Sequence, residues 1–270
     1  MHYTFIFILF ISIATAQINY KTIQLPKTIE ETSGLEYFGD YLLTHNDSGD
    51  KPTLYVFSDT GKMVQAIRIY GIKNKDWEDI TSDSNHYYVS DTGNNVGTRE
   101  NLTVYILSKE LIPQGKIKIK YEAQTTFSRD PRTPYDAEAI ASVGDQLVLF
   151  SKNRKTFQSQ IYRFPKTEGT YNLSPEAILE TESLITAADY NEAHDLVALT
   201  GYTYKGEQFF YTLTDFVKNG MDQIQLKKYP IPIGKAQVEA VKIIDDRTFW
   251  VSSESEQDGI PKLYQLELEP

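Results

Sequence analysis

The chain has no cysteine in its 270 residues. Disulfides, thiolate metal sites and cysteine nucleophiles are therefore excluded. Histidine is scarce, and no HExxH or comparable spacing surrounds His2, His45, His86 or His194, so a histidine-based zinc site is not expected. The nucleophile elbow G-x-S-x-G, the P-loop and the dinucleotide fingerprint are absent as well. Basic residues are the minority charge, with 27 Lys and Arg against 37 Asp and Glu and a net charge of −10. Nucleic acid and anionic membranes both reward Lys and Arg, so neither is expected as a partner. Helical periodicity is nearly missing; only 108–111 and 213–219 invite a short helical turn.

The first residues stand apart from the rest. MHYTFIFILFISIATA carries no formal charge, runs apolar from Phe5 to Ile13 and ends in Ala14-Thr15-Ala16. An apolar run closed by a small-residue A-x-A site predicts a signal peptide over residues 1–16, cleaved before Gln17. The run is too short to span a bilayer, which takes about 20 residues, and no other segment is apolar enough to cross. The expected mature product, residues 17–270, is one exported domain, secreted or held in the periplasm or cell envelope.

Five segments of that domain superimpose. They begin at Glu31 (ETSGLEYFGDYLLTHNDSG), Trp77 (WEDITSDSNHYYVSDTGNN), Asp136 (DAEAIASVGDQLVLFSKNR), Ile185 (ITAADYNEAHDLVALTGYTY) and Gln237 (QVEAVKIIDDRTFWVSSESE). Each holds two short apolar strands around a polar turn. A third strand follows (LYVFSD, LTVYIL, QIYRF, FFYTL, KLYQLEL), and further β-like stretches, VQAIRIYG, KIKIKYEAQ, EAILETES and IQLKKYPIP, separate the units. Tyr, Ile, Val, Thr and Phe dominate these runs, as strands require. Four strands per unit, repeated about every 50 residues, predict an all-β five-bladed β-propeller. A sixth blade stays open if 112–134 hides a degenerate unit. The fifth unit ends after three strands, and YKTIQLP near the mature N-terminus is expected to supply the fourth, which also removes an exposed sheet edge.

The inner strands open on acidic residues. Alignment puts Glu78, Glu138 and Glu239 in register, with Asp189 displaced by about one residue and Ser33 in the first blade. Carboxylates converging from several blades repel one another unless a hard cation such as Ca²⁺ or basic residues pair with them, or one is protonated. The turns after the second strands add Asn46-Asp47-Ser48-Gly49, Asp91-Thr92-Gly93-Asn94-Asn95 and Lys152-Asn153-Arg154. Glu78, Glu138, Asp189, Glu239, Asp91 and Asn46 are the candidate Ca²⁺ ligands. Lys152, Arg154, Asn94 and Asn95 are candidates for holding a substrate, the two cations suiting an anion such as phosphate. The same residues also suit structural roles. Asn and Asp cap turn amides while Gly supplies positive φ, regularly repeated glutamates can bind backbone amides, and Lys152 and Arg154 can neutralise the ring. Trp77 and Trp250 are expected in packing.

S-G-L-E with T-H-N-D-S-G (Ser33 to Gly49), D-W-E-D-I (Asp76 to Ile80), D-T-G-N-N (Asp91 to Asn95) and Y-D-A-E-A (Tyr135 to Ala139) resemble a largely uncharacterised group of secreted bacterial β-propeller proteins, common in Bacteroidetes. That resemblance spans almost all of the mature chain and implies the propeller fold and export, without supplying a reaction. In style the acidic inner strands are also similar to calcium-dependent propeller phytases and gluconolactonase-like propellers, where a metal at the channel binds substrate. Two functions follow as expectations. One is a Ca²⁺-dependent esterase or phosphoesterase. The other is a non-catalytic propeller whose rim recognises a small molecule, glycan or peptide, and fold alone does not choose between them. A propeller closed on itself needs no second copy, so a monomer is expected.

Overall fold

The second strand of each unit reads as an unbroken apolar run rather than an alternating one. The reason is that each blade of this protein buries both faces, one against each neighbouring blade. Residues 18–255 and 259–269 are described by the structure, a computed structural model; the expected leader over residues 1–16 lies outside them. Five blades are present. Blade 1 comprises Thr32–Phe38, Tyr41–Asn46, Thr53–Phe57 and Met63–Arg68; blade 2 comprises Asp79–Ser82, His86–Asp91, Thr103–Ser108 and Pro113–Tyr121. Blade 3 is Ala137–Val143, Gln146–Ser151, Ser159–Pro165 and Ala177–Leu179, and blade 4 is Leu184–Asn191, Leu196–Tyr202, Gln208–Thr214 and Gln225–Ile231. Blade 5 uses Val238–Ile243, Thr248–Ser253 and Lys262–Leu268.

The fourth strand of blade 5 is Ile18–Gln24, which pairs antiparallel with Lys262–Leu268 from Ile18↔Leu268 to Gln24↔Lys262. The N-terminal strand thus closes the ring, as strand counting predicts. Residues 113–121 form the outer strand of blade 2, so the stretch from 112 to 134 holds no sixth blade. One arrangement was not expected. Gly169–Leu173 pairs in parallel with Pro113–Tyr121 and widens blade 2 to five strands before the chain returns to blade 3 at Ala177–Leu179. The helical turn expected over 213–219 is found as Phe216–Asn219. The one expected at 108–111 is a tight turn in which Leu111 takes φ 62°.

The apolar side chains gather in five clusters among the described residues, one at each blade junction. Trp77 is fully buried between blades 1 and 2, and Trp250 lies between blades 5 and 1, so both tryptophans serve packing. Phe210 and Phe249 meet across the junction of blades 4 and 5 with centroids 4.5 Å apart. Each such ring contributes about 2–3 kcal/mol by leaving water.

The inner strands touch one another in the order 1-2-3-4-5-1, leaving little room on the axis. At Gly34 (φ 66°) a Cβ would lie 2.6 Å from the Ile80 amide nitrogen, so only glycine fits there. Across the ring, the buried Asp79 carboxylate accepts hydrogen bonds from the amides of Ile80 (2.8 Å), Ile140 (2.9 Å) and Ala188 (3.1 Å). One side chain of blade 2 therefore ties blades 3 and 4. Replacing Asp79 with Ala leaves the Ile140 and Ala188 amides without acceptors in the interior. The expected loss is about 3 kcal/mol, read as a fall of roughly 6–12 °C in Tm; a variant melting within 2 °C of the parent, a margin of about 1 kcal/mol or less, would show that Asp79 does not bind the ring together.

Candidate metal centre at the channel mouth

The inner strands of blades 3, 4 and 5 each carry a register break at their opening. It falls between Ala137 and Ala139, Ile185 and Ala187, and Val238 and Ala240. The extra residues are Glu138, Thr186 and Glu239. Threonine therefore stands in blade 4 where the neighbouring blades have glutamate. Sequence alignment sets Asp189 about one residue from that place, whereas it lies three residues further along its strand. There it accepts hydrogen bonds from Lys242 Nζ (2.9 Å) and the Ile243 amide (2.8 Å), and Lys242 also pairs with Glu36 at 2.7 Å. Asp189 is thus part of an interior ion triad and is not among the mouth carboxylates.

Asn46 is also turned to other work. Its Oδ1 accepts from the Glu31 amide and its Nδ2 donates to Thr28 O and Asp50 Oδ2. Asp91 accepts from the Asp76 amide at 3.1 Å and from Arg99 Nη2 at 2.7 Å. Asn94 is pinned by three bonds, from its amide to Asp136 Oδ1, from Nδ2 to Tyr135 O, and at Oδ1 from the Arg99 amide. Only Asn95 of that turn is exposed, and its Oδ1 accepts from Arg154.

What does converge is a trio only one of whose members was expected. Carboxylate oxygens of Asp47, Asp76 and Glu78 lie within 4.8 Å of one another. Asp47 comes from the turn after the second strand of blade 1, and the other two precede the inner strand of blade 2. Glu78 is 3 % exposed, and its Oε1 has no hydrogen-bond partner among the described residues. Gly93 makes the space for them: a Cβ at that position would overlap both Glu78 Oε1 and Asp76 Oδ2. Its φ is not positive, so glycine stands here for room and not for the turn conformation expected from D-T-G-N-N. Gly49, at φ 86°, does play that turn role. Asp76-x-Glu78 was a readable spacing, but nothing in the sequence placed Asp47 beside it.

Beside the trio lies a second acidic group already paired with cations. Lys152 contacts Glu138, stands 4.0 Å from Glu239 and lies over the Tyr202 ring at 4.9 Å. Arg154 bonds Asp136 Oδ2 at 2.7 Å and Glu138 Oε1 at 3.2 Å. Lys152 is 3 % exposed; reaching a substrate would mean leaving Glu138. Among the described residues, the ion pairs of the mouth carboxylates Asp47, Asp76, Glu78, Asp91, Asp136, Glu138 and Glu239 are with Arg99, Lys152 and Arg154, while Lys75 adds a weaker pull on Asp91. Within that set of seven carboxylates and three ion-paired cations, carboxylates are in excess.

The imbalance appears in the titration of the group. Burial, then repulsion from Asp76 and Glu138, raises the Asp47 carboxyl to about 8. Burial raises Asp76 to about 6 against the pull of Arg99. Burial, with Asp47 and Glu138 adding to it, holds Glu78 well above the carboxylate range. Folding thus favours the protonated forms. Stability from these groups is complete below the ordinary carboxyl range near 4 and is lost as pH rises through about 6 and then about 8. In chelator, the protein is expected to melt several degrees lower at pH 8.5 than at pH 5. A Tm that stays level or rises across that range would show that the mouth carboxylates are not mutually strained.

No family model matches the chain, and no curated protein does. Among solved structures, the chain is similar to the PQQ-bound form of an aldose sugar dehydrogenase from Streptomyces coelicolor, with TM-score 0.56 and 12% identity over 95% of this chain and 99% of that one. It also matches the hydrazine synthase of Kuenenia stuttgartiensis (TM-score 0.45, 11% identity, 81% and 60% covered) and the WD40 repeats of RRP9 (0.45, 11%, 88% and 67%). At such identities the likeness to the sugar dehydrogenase is one of fold alone: the chain is an all-β propeller of five blades.

Proposed function

We propose that the channel mouth binds a divalent cation through Asp47, Asp76 and Glu78, and that the protein acts through that ion as a hydrolase of esters. The observation that carries the reading is the buried, unpartnered Oε1 of Glu78 beside two further carboxylates. Desolvating a carboxylate oxygen without a partner costs about 1–3 kcal/mol or more, and a hard cation removes that cost. The donors are all oxygen, with neither imidazole nor thiolate, which favours Ca²⁺ over zinc. When bound, such an ion supplies a polarised carbonyl and a water of lowered pKa. Asp47 is only half-buried, which leaves the ion a side open to water and substrate.

The cations beside the site narrow the substrate. Lys152 and Arg154 are both paired with carboxylates, so neither of them is free to meet a phosphate dianion, and a carboxyl ester fits better than a phosphomonoester. Export, expected from residues 1–16, belongs to the same proposal. Among the described residues no helix is long and apolar enough to cross a membrane.

A second reading, an ion-stabilised rim that binds without catalysis, is favoured by where the room lies. The groove of about 660 Å³ is on the opposite face, between Asp83, His86, Asp145 and Lys166. Calorimetric titration of chelated protein with Ca²⁺ tests the shared part. Saturation at about 100 Kd is expected to add about 2.7 kcal/mol, raising Tm by roughly 5–10 °C. Glu78→Gln and Asp47→Asn should each weaken binding at least about 100-fold, a change of about 2.7 kcal/mol. Absence of Ca²⁺ binding by the parent protein overturns the reading. Ion-dependent turnover of carboxyl esters supports hydrolysis, and binding without any turnover supports the rim.

A further inference from the structure

We infer that Asp91, held by Arg99, and Asn74 are positioning residues of this cation site, fixing the main chain of Asp76 and Asp47 before any ion arrives. The inference rests on the cation reading and goes beyond it by assigning groups that touch no ion.

Glu78 is tied to the second strand of its blade by its amide, which donates to Ser90 O at 2.8 Å, whereas the other two ligand carboxylates stand on loops. Asp76 belongs to the connection between blades 1 and 2, and Asp47 to an exposed turn. The Asp76 amide donates to Asp91 Oδ1 at 3.1 Å. That oxygen is itself located by Arg99, whose Nη2 reaches Asp91 Oδ1 at 2.7 Å and Asp91 O at 3.0 Å. Nη1 of the same guanidinium donates to Gly93 O at 2.6 Å and stands 3.9 Å from Asp76 Oδ2. One planar fork therefore sets the Asp76 backbone, through Asp91, and the Gly93 gap into which Asp76 and Glu78 project. Arg99 is 8 % exposed, and its own amide is fixed by Asn94.

Asn74 does the corresponding work on the other side. Its Nδ2 donates to Asn46 O at 3.1 Å and Asp47 O at 2.8 Å, while its Oδ1 accepts from the Trp77 amide at 3.2 Å. Trp77 is anchored in the junction of blades 1 and 2, with Nε1 donating to Lys73 O. The turn carrying Asp47 is thereby fastened to the segment carrying Asp76 and Glu78. Groups that orient metal ligands without touching the metal typically set affinity by 10–100-fold.

A double-mutant cycle on the full chain separates positioning from ligation. Asp91→Ala is expected to weaken Ca²⁺ binding roughly 10–100-fold in the parent protein and to have no further effect in an Asp76→Ala background, because it acts through Asp76. Asn74→Ala should weaken binding similarly and be silent in an Asp47→Ala background. Tb³⁺ luminescence, displaced by Ca²⁺, reads the same cycle when affinity falls below the calorimetric range. Losses that multiply in the double variants would make Asp91 or Asn74 an independent contributor and overturn the inference, as would single variants within twofold of the parent. Should Asp91→Ala fail to fold by circular dichroism, the Asn74 cycle at the half-buried turn decides. A parent protein that binds neither Ca²⁺ nor Tb³⁺ overturns the cation reading itself, an outcome distinct from silent or additive variants.

Discussion

Three amides from three blades end on one carboxylate, that of Asp79. A propeller has to bring its inner strands within contact on an axis, yet the inner edges of those strands carry backbone donors that water cannot reach. Side chains must satisfy them. Asp79 does so for blades 3 and 4, Asp189 for Ile243 of blade 5, and the Ser33 hydroxyl returns a bond to Glu78 O. The glycine at position 34 lets blade 1 approach close enough for this to work. Other requirements of the fold, including the five junction clusters and the closing N-terminal strand, presuppose that the axis is held.

The same closeness creates the tension at the mouth. Strands packed this tightly deliver their opening residues into a small volume, and four of those residues are acidic: Glu78, Asp136, Glu138 and Glu239. Lys152 and Arg154 compensate the carboxylates of blade 3 through buried ion pairs, and Lys152 reaches Glu239 of blade 5 at 4.0 Å. In the sector of blades 1 and 2, Arg99 is the ion-pair partner of both Asp76 and Asp91, with a weaker pull on Asp91 from Lys75, and among the described residues Asp47 and Glu78 form no ion pair of their own. Charge that the chain leaves less compensated in one sector than in the next is the physical ground of the proposal that a cation binds there.

Much of the propeller was legible because its signals are local and repeated. Apolar runs such as LVLFS and TFWVSS, turns at fixed offsets and a missing fourth strand in the last unit all follow from strand chemistry. The crossing of 169–173 to blade 2 was not legible, since a short strand of ordinary composition does not say which sheet edge it will join. The site was legible in kind and partly wrong in detail. The hairpin joining the first two strands is longer in blade 4 (Thr186 to Gly201) than in blade 3 (Glu138 to Ser151), so counting back from the second strand brings Asp189 to within about one residue of the glutamate register, a place that Thr186 in fact holds. Asn46, Asp91 and Asn94 have the right donors for a ligand, but their oxygens and amides are taken by backbone groups that only the folded chain brings near.

By itself the sequence determined the class of fold, the closing strand and the acidic character of one mouth, because periodicity and charge are properties of the chain read in order; it favoured five blades, and the structure closed the six-bladed alternative. Only the tertiary structure decided which carboxylates meet. Asp47 joins Asp76 and Glu78 across a blade junction, from positions about 30 residues apart. Gly93, from a third segment, leaves the space they fill. Contacts between neighbouring blades depend on strand register and on the close approach of inner strands to one axis, and neither is written in any single repeat.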